Sequence, residues 1–327
     1  MPDGATTDAL LAALRRQTNR PELSWAVRPE PLTGGFWAEM YVVELADPPA
    51  ELQGRLVARI MPEPATAAYE TAVQRHLMRC GFPVASIRCA GAPSSELDRG
   101  WSLMDFAPGQ PLFAGLRVAQ PASLLRRLPD LLAEAAATLH RCPPEELRRE
   151  LTGNVRQADI VAFLGRLATA AEAVGRPDLQ TAAERLAATA HETRVICHGD
   201  LHPLNLLVDG DRWTLIDWPS SVLADPHYDL AFTDLLLANP PLGGSAPMRA
   251  GTRVIGRRIA RRFLRTYQHR SGLRVDAARL DWGHRAHALR ALVDLATWEA
   301  NDDLASHRGH PWFTMRPLFE AKLATRR

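Results

Sequence analysis

The stretch Val195-Ile-Cys-His-Gly-Asp-Leu-His-Pro-Leu-Asn-Leu-Leu-Val-Asp-Gly-Asp-Arg-Trp-Thr-Leu-Ile-Asp217 decides how this chain is read. Within eighteen positions it places two carboxylates and an amide, Asp200, Asn205 and Asp217. An apolar run, Val195 to Cys197, enters a polar loop from His198 to Asn205. The pattern then predicts a short strand over Leu206 to Val208, a turn at Asp209-Gly210-Asp211 and a second strand over Trp213 to Ile216. Asp-Gly between two apolar runs is among the strongest short-range hairpin signals. Antiparallel closure there sets Asn205 opposite Asp217, roughly 5 Å apart in backbone terms, so that one cation could touch both side chains.

Magnesium takes oxygen ligands in near-octahedral geometry, commonly one or two from the protein and the rest from phosphates and water. Asp217 offers a full negative charge and Asn205 a neutral carbonyl oxygen. Asp200 is then the carboxylate left over, placed to accept or orient the proton of an attacking hydroxyl. A rival use of the same letters is a zinc or iron hydrolase built on His198, Asp200 and His202. It needs distant ligands that the sequence does not nominate, since no His-Glu-x-x-His occurs, and it gives Asn205 and the hairpin no task. His198 is read as a loop anchor, and His202 as loop support in preference to a phosphate contact.

These residues resemble the catalytic and metal-binding segments of the aminoglycoside phosphotransferase and choline kinase-like family, small-molecule relatives of the protein kinases. The family's H-G-D-x-x-x-x-N is matched by His198, Gly199, Asp200 and Asn205, and its following I-D by Ile216 and Asp217. Protein kinases carry Arg where Gly199 stands. Asp225-Pro-His-Tyr-Asp-Leu-Ala231 resembles the family's D-P-x-Y-D-L-A, which opens the next helix. Asp229 is read there as a structural helix-start residue. The resemblance implies an α+β, bilobal protein kinase-like fold. A small antiparallel-sheet lobe with an N-terminal helix would occupy residues 1–107 and bind nucleotide. A larger, mainly helical lobe would occupy residues 108–327 and hold the catalytic loop and the acceptor. It further implies Asp200 as catalytic base, Asn205 and Asp217 as ligands of Mg2+, and ATP or GTP as co-substrate. The acceptor would be a small hydroxyl-bearing molecule, an aminoglycoside or other antibiotic among the candidates.

The family pattern also assigns upstream residues. Gly34 and Gly35, ahead of a strand-like Met40 to Leu45, stand where backbone N–H groups approach phosphates. Trp37 and Ala38 follow, where small polar residues are usual in the family. Arg59, on a strand over Arg55 to Met61, occupies the place of a phosphate-binding Lys and presents a planar fork instead of a point charge. Glu70, in an amphipathic segment from Tyr69 to Met78, would hold Arg59. The strand Trp101 to Phe106 runs into Ala107-Pro108-Gly109-Gln110-Pro111, read as the linker between lobes. Backbone groups of Asp105, Phe106 and Ala107 are its adenine-binding candidates by position. The departures at Trp37, Ala38 and Arg59 leave a second reading, a non-catalytic nucleotide or metabolite binder on the same fold. The intact Asp200, Asn205 and Asp217 favour the enzyme.

Downstream, helical periodicity dominates. Leu128, Leu131, Leu132, Ala135 and Leu139 share one face, and Val254, Ile255, Ile259, Phe263 and Tyr267 are expected to share another. The Pro- and Gly-rich stretch from Asn239 to Gly251 is expected to be a connector or a lid. A helix over Leu289 to Asp303 would end on acidic residues that oppose its dipole, unless it stops earlier; Asp302 and Asp303 are candidate contacts for a cationic acceptor.

Composition sets the frame. The chain has 327 residues, 46% of them hydrophobic, enough for a sizeable core and two lobes. Its 39 basic and 37 acidic residues leave a net charge of +2, no electrostatic case for nucleic acid. Cys80, Cys89, Cys142 and Cys197 show neither C-x-x-C pairing nor a disulfide framework. Ala9 to Leu14 reads as a surface helix and not a signal peptide. The expectation is a cytoplasmic protein that binds no membrane and no nucleic acid.

Overall fold

Residues 4–32, 38–112, 122–151, 158–241, 245–304, 307 and 309–324 are described in a computed structural model of the chain. The first elements are α1 (Gly4–Thr18), β1 (Ser24–Trp25), β2 (Glu30–Pro31), β3 (Glu39–Val43), β4 (Leu45–Ala46), a 3-10 turn (Ala50–Leu52), β5 (Leu56–Met61), α2 (Pro64–Arg79), β6 (Ile87–Gly91) and β7 (Gly100–Asp105). There follow β8 (Gln110–Pro111), α3 (Ala122–Leu139), α4 (Glu145–Leu151), α5 (Ile160–Ala173), α6 (Pro177–Ala188) and β9 (Val195–Cys197). The chain continues through β10 (Leu206–Asp209), β11 (Arg212–Leu215), β12 (Val222–Ala224), α7 (His227–Ala238), α8 (Ala246–Ser271), α9 (Ala277–Ala300) and α10 (Pro311–Ala324). The architecture is α+β: an antiparallel sheet comes first and a mainly helical part after it.

Two compact units divide the chain. The first comprises Met1–Gly109, Glu146–Arg156 and Val208–Pro219; the second comprises Gln110–Glu145, Gln157–Leu207 and Ser220–Arg327. In the first unit five strands pair in the order β2-β3-β5-β7-β6. The apolar run Leu56–Met61 makes β5 the central strand, with Arg59 opposite Met40 on β3 and Ser102 on β7. Ile60, Leu56, Ala58 and Leu103 are fully buried together with Leu10 and Leu14 of α1. The expectation of a surface helix there is therefore corrected. Its apolar residues fall at helical spacing, so a full stripe (Leu10, Leu11, Leu14) reaches the sheet core.

The hairpin turns at Gly210-Asp211, with Gly210 at φ +61°, the positive φ that a II′ turn takes at its first central residue. Its strands are Leu206–Asp209 and Arg212–Leu215, so Ile216 lies beyond the ladder. In the second unit β9 and β12 pair antiparallel on either side of the loop that carries Asp200, with Cys197 opposite Val222.

The helical core is that of α5, α6, α7, α9 and α10, with Leu164, Tyr228, Leu289, Leu295 and Trp298 among its buried members. The stripe on α3 is buried as its spacing predicts, Leu128 through Leu139. The stripe assigned to α8 is corrected in part. Phe263 and Tyr267 are buried, but Val254 is 53% and Ile255 59% exposed. The inward face is Gly256, Ala260, Phe263 and Tyr267. Gly256 approaches α7 so closely that a Cβ there would lie 2.2 Å from Leu237 O. Small residues mark this contact, and a search for large apolar ones passes over it. α8 also begins at Ala246, so the second half of the expected connector is helix, started by Ser245 and Pro247. α9 ends at Ala300; Asp302, at φ +54°, and Asp303 lie past its end, and the dipole argument for them lapses. Among the described residues no helix is long and apolar enough to cross a membrane.

Replacing Ile60 by Ala should cost about 2–5 kcal/mol in urea unfolding, the usual range for a core aliphatic. Ile255→Ala, on the exposed face of α8, should stay within about 0.5 kcal/mol. Equal costs would mean that the stripe of α8 expected from sequence is the buried one after all.

Candidate active site

The first unit supplies a buried cation with two carboxylate partners. Arg59 on β5 donates Nε–H to Glu70 Oε2 at 2.9 Å and Nη2–H to Asp217 Oδ1 at 2.8 Å. Arg59 and Glu70 are 7% and 4% exposed, so neither charge can rely on water. Glu70, on α2, uses its other oxygen to accept from the Trp218 backbone N–H at 3.3 Å. Burial pushes the Glu70 carboxyl up, with Arg59 opposing it. Burial also works against the charge on Arg59, but Glu70 and Asp217 outweigh it and hold the guanidinium above its ordinary value. Asp217 sits at φ +71°, in the left-handed region that Asp tolerates better than most side chains. The pair expected between Arg59 and Glu70 is present, and Asp217 joins it.

Gly34, Gly35 and Trp37 lie outside the described residues; Ala38 is a bend leading into β3. At the linker, the backbone N–H of Asp105 donates to Ser86 O at 2.9 Å and that of Phe106 to Arg55 O at 3.2 Å. The Asp105 carboxylate holds Arg88 at 2.6 Å, and Arg55 stacks over the Phe106 ring at 4.3 Å. For these two residues an adenine would have to use carbonyl oxygens; Ala107 follows directly.

The second unit builds the loop from His198 to Asn205. Asp229, in the first turn of α7, is fully buried. It accepts the backbone N–H of His198 at 2.8 Å and of Gly199 at 2.7 Å. His140 Nε2 lies 3.2 Å from Asp229 and His140 Nδ1 2.8 Å from the Tyr267 hydroxyl. A carboxylate only accepts, so His140 carries a proton on Nε2. Burial opposes the Asp229 charge, yet His140, His198 and the Gly199 N–H outweigh it and hold the carboxyl below the usual carboxylate range. Gly199 has φ +73°, and a Cβ there would lie 2.2 Å from Ser220 O, so this position accepts only glycine.

Asp200 follows. Its backbone N–H donates to His198 Nδ1 at 3.2 Å, which makes His198 the loop anchor expected of it. His202 accepts the Leu204 N–H on Nδ1 at 3.2 Å, leaving protonated Nε2 3.5 Å from Asp200 Oδ2. Burial would raise the Asp200 carboxyl, but His202, Arg290 and His198 hold it well below its ordinary value. Asn205 Nδ2 donates to Asp200 O at 3.0 Å and to Asp200 Oδ2 at 3.3 Å, which assigns its carbonyl oxygen to any other task. Asn205 thus belongs with Asp200 in the second unit, and Asp217 with Arg59 in the first. Asp200, Asn205 and Asp217 each offer an oxygen, the kind of ligand atom a hard cation such as magnesium takes.

Sequence reading passed over three residues of this loop's support. Tyr267 was taken only for core, and His140 carries no signal beyond its place at the end of α3. Arg290, on α9, donates to Gly199 O at 2.9 Å and to Ser220 Oγ at 2.7 Å. Its one visible mark is a lone Arg inside the apolar run Ala288 to Val293. His310, just before α10, is pushed down to about 4 by burial and by the neighbouring His307 and Arg290, and is neutral at pH 7.

Comparison with known proteins bears on this arrangement. The sequence profile of the phosphotransferase enzyme family matches residues 29–234. A search of curated protein sequences gave no match. Among solved structures, a Ralstonia eutropha protein proposed to be an aminoglycoside phosphotransferase superposes with a TM-score of 0.66 at 18% identity, over 97% of each chain. A thermostable mutant of aminoglycoside phosphotransferase APH(4)-Ia, in ternary complex with AMP-PNP and hygromycin B, superposes at 0.64 and 17% identity, over 97% of this chain and 100% of that one. Macrolide 2'-phosphotransferase MphH from Brachybacterium faecium superposes at 0.53 and 19% identity, over 98% and 99%. At such identities the structures establish a shared fold.

Asp229→Ala should destabilise the chain by about 3 kcal/mol at pH 7, since two N–H groups and a histidine lose their buried partner. A carboxyl held lower in the folded than in the unfolded chain stabilises above its unfolded pKa of about 3.9. That contribution is lost as pH falls through the folded value. Urea unfolding should therefore show the gap between wild type and Asp229→Ala narrowing below about pH 4. A gap independent of pH would contradict a charged anchor.

Proposed function

The chain belongs to the phosphotransferase enzyme family, and from that premise we propose that it transfers the γ-phosphoryl group of ATP or GTP to a hydroxyl of a small molecule. The observation that carries this reading is the loop His198 to Asn205. Its backbone hangs on Asp229, and its one catalytic carboxylate, Asp200, is flanked by His202 and Asn205. Asp200 orients the acceptor hydroxyl and takes its proton. The depressed Asp200 carboxyl is ionised at neutral pH, which suits it for orientation and for proton acceptance late in the transfer.

Asn205 and Asp217 are the proposed ligands of Mg2+, which when bound neutralises charge on the phosphates. Arg59, with Glu70 behind it, is the proposed phosphate contact from β5, and Gly34 with Gly35 the proposed backbone contact. Carbonyl groups of Asp105 and Phe106, with Ala107, are the proposed adenine edge. Residues 1–107 form the proposed nucleotide-binding lobe and residues 108–327 the proposed catalytic and acceptor-binding lobe.

The solved relative holding AMP-PNP and hygromycin B supports a nucleotide and a hydroxyl-bearing antibiotic as the pair of substrates. Aminoglycosides and macrolides, named in the relatives' descriptions, are the first acceptors to try. A non-catalytic binder of the same fold would not need Asp200, Asn205 and Asp217 together.

An ATP-depletion assay over a panel of aminoglycosides, macrolides and hydroxylated amines, with magnesium present, should identify an acceptor. With it, Asp200→Ala should lower turnover on the order of a hundredfold or more; near-full activity would remove Asp200 from its role. In calorimetry, Asp217→Ala should abolish magnesium-dependent nucleotide binding at millimolar metal, and wild-type affinity in that variant would exclude Asp217 as a ligand.

A further inference from the structure

The middle of α9 reads Ala288-Leu289-Arg290-Ala291-Leu292-Val293, and every member of that run except Arg290 is an apolar buried side chain. Arg290 is half-buried, and a guanidinium so placed needs its inward donors matched. Arg290 Nη1 donates to Gly199 O at 2.9 Å and Nη2 to Ser220 Oγ at 2.7 Å. The Tyr228 side chain interacts electrostatically with the guanidinium, and the Trp312 ring lies 5.4 Å from the guanidinium carbon. The catalytic loop, the segment leading to β12, α7 and α10 all meet this one side chain, and all belong to the second unit.

Gly199 shows why the charge arrives from a distant helix. Its backbone is left-handed, and Ser220 O occupies the space a Cβ would need. No side chain fits at position 199, where the protein-kinase loop carries its arginine. The carbonyl that Arg290 binds belongs to the peptide joining Gly199 to Asp200. The N–H of that same peptide is held by His198 Nδ1, and the preceding N–H by Asp229. The backbone at Asp200 is thereby fixed by three partners, of which Arg290 alone comes from α9. Around the Asp200 carboxylate stand His202 and Asn205 on the loop, with the Arg290 charge on α9 helping to hold that carboxyl low.

We propose that Arg290 is a positioning residue for phosphoryl transfer: by holding the Gly199 carbonyl and the Ser220 hydroxyl, it fixes the peptide that carries Asp200 and acts on the reaction through Asp200. This rests on the phosphotransferase reading given above. A misplacement of about 1 Å at a reacting group costs on the order of a hundredfold in rate, so the loss of a two-point clamp should be visible in turnover.

The test is magnesium-dependent phosphate release from ATP with water as acceptor. It compares wild type, Arg290→Gln, Arg290→Lys, Asp200→Asn and the Asp200→Asn/Arg290→Gln double variant, each with its Tm and KM for ATP. Arg290→Gln should lower kcat about tenfold or more, with KM within about twofold. Arg290→Lys keeps the charge but loses the fork and should recover part of the rate. In the Asp200→Asn background Arg290→Gln should cost less than about twofold, because residues acting as a unit are not additive. A purely structural arginine would lower Tm and multiply its loss onto that of Asp200→Asn, and that result overturns the proposal, as does full kcat in Arg290→Gln. If wild type and Asp200→Asn release phosphate equally, the phosphotransferase reading falls and this role with it. If only Arg290→Gln matches wild type, the role of Arg290 alone falls. Should Arg290→Gln fail to fold, Ser220→Ala removes one of the two acceptors and should show a smaller kcat loss with the same non-additivity.

Discussion

Two backbone N–H groups, those of His198 and Gly199, converge on the buried carboxylate of Asp229, and the shape of the loop from His198 to Asn205 follows from that contact. A carboxylate with no exposed surface is costly unless its lone pairs are matched. Here they are matched by the two N–H groups and by His140, itself held by Tyr267. With the loop pinned at its first two residues, left-handed Gly199 turns the chain so that Asp200, His202 and Asn205 come together. The carboxylate proposed as the base, Asp200, is thus set by groups given no part in the chemistry. The turn just after α3 (His140), α7 (Asp229), α8 (Tyr267) and α9 (Arg290) each contribute one of them, which ties the helical core to the loop in physical terms.

The first unit solves a related problem with charge pairs. Arg59 lies on the central strand of the sheet, where water cannot reach it, and two carboxylates share it. Glu70 is held in turn by the Trp218 N–H, so the order runs from helix α2 to strand β5 to the segment after β11. Trp218 packs edge-on to Phe82 at 5.8 Å, and Trp213 does so at 5.6 Å. Asp217, next to Trp218, is held by Arg59 at 2.8 Å in its left-handed backbone conformation.

Much of this was legible in the sequence because the signals are local. The Asp-Gly turn, the loop spacing from His198 to Asn205 and the apolar strands all depend on near neighbours, and the hairpin and three of the five strands of the sheet, β3, β5 and β7, follow them closely, whereas β2 and β6 were not read. The family pattern also pointed to Arg59 and Glu70, which meet at 2.9 Å. What was not legible depends on contacts made across long stretches of chain. Asp229 reads locally as a helix-start residue, and only the fold shows it to be the anchor of a loop thirty residues upstream. Arg290 stands 91 residues from the carbonyl it binds, with nothing nearby to announce the pairing. The inward face of α8 was misread because Gly256 and Ala260 do its packing, and periodicity counts large apolar residues.

The loop carrying Asp200 is proposed to move a phosphoryl group from nucleotide to a small-molecule hydroxyl. Incubating the chain with γ-labelled ATP, magnesium and the acceptor found by screening, then locating the label by mass spectrometry and phosphorus NMR, tests it most directly. The label should appear as a phosphate ester on one hydroxyl of the acceptor with wild type and be absent with Asp200→Asn. Label that remains in the nucleotide, or reaches the acceptor equally with both proteins, would contradict the claim.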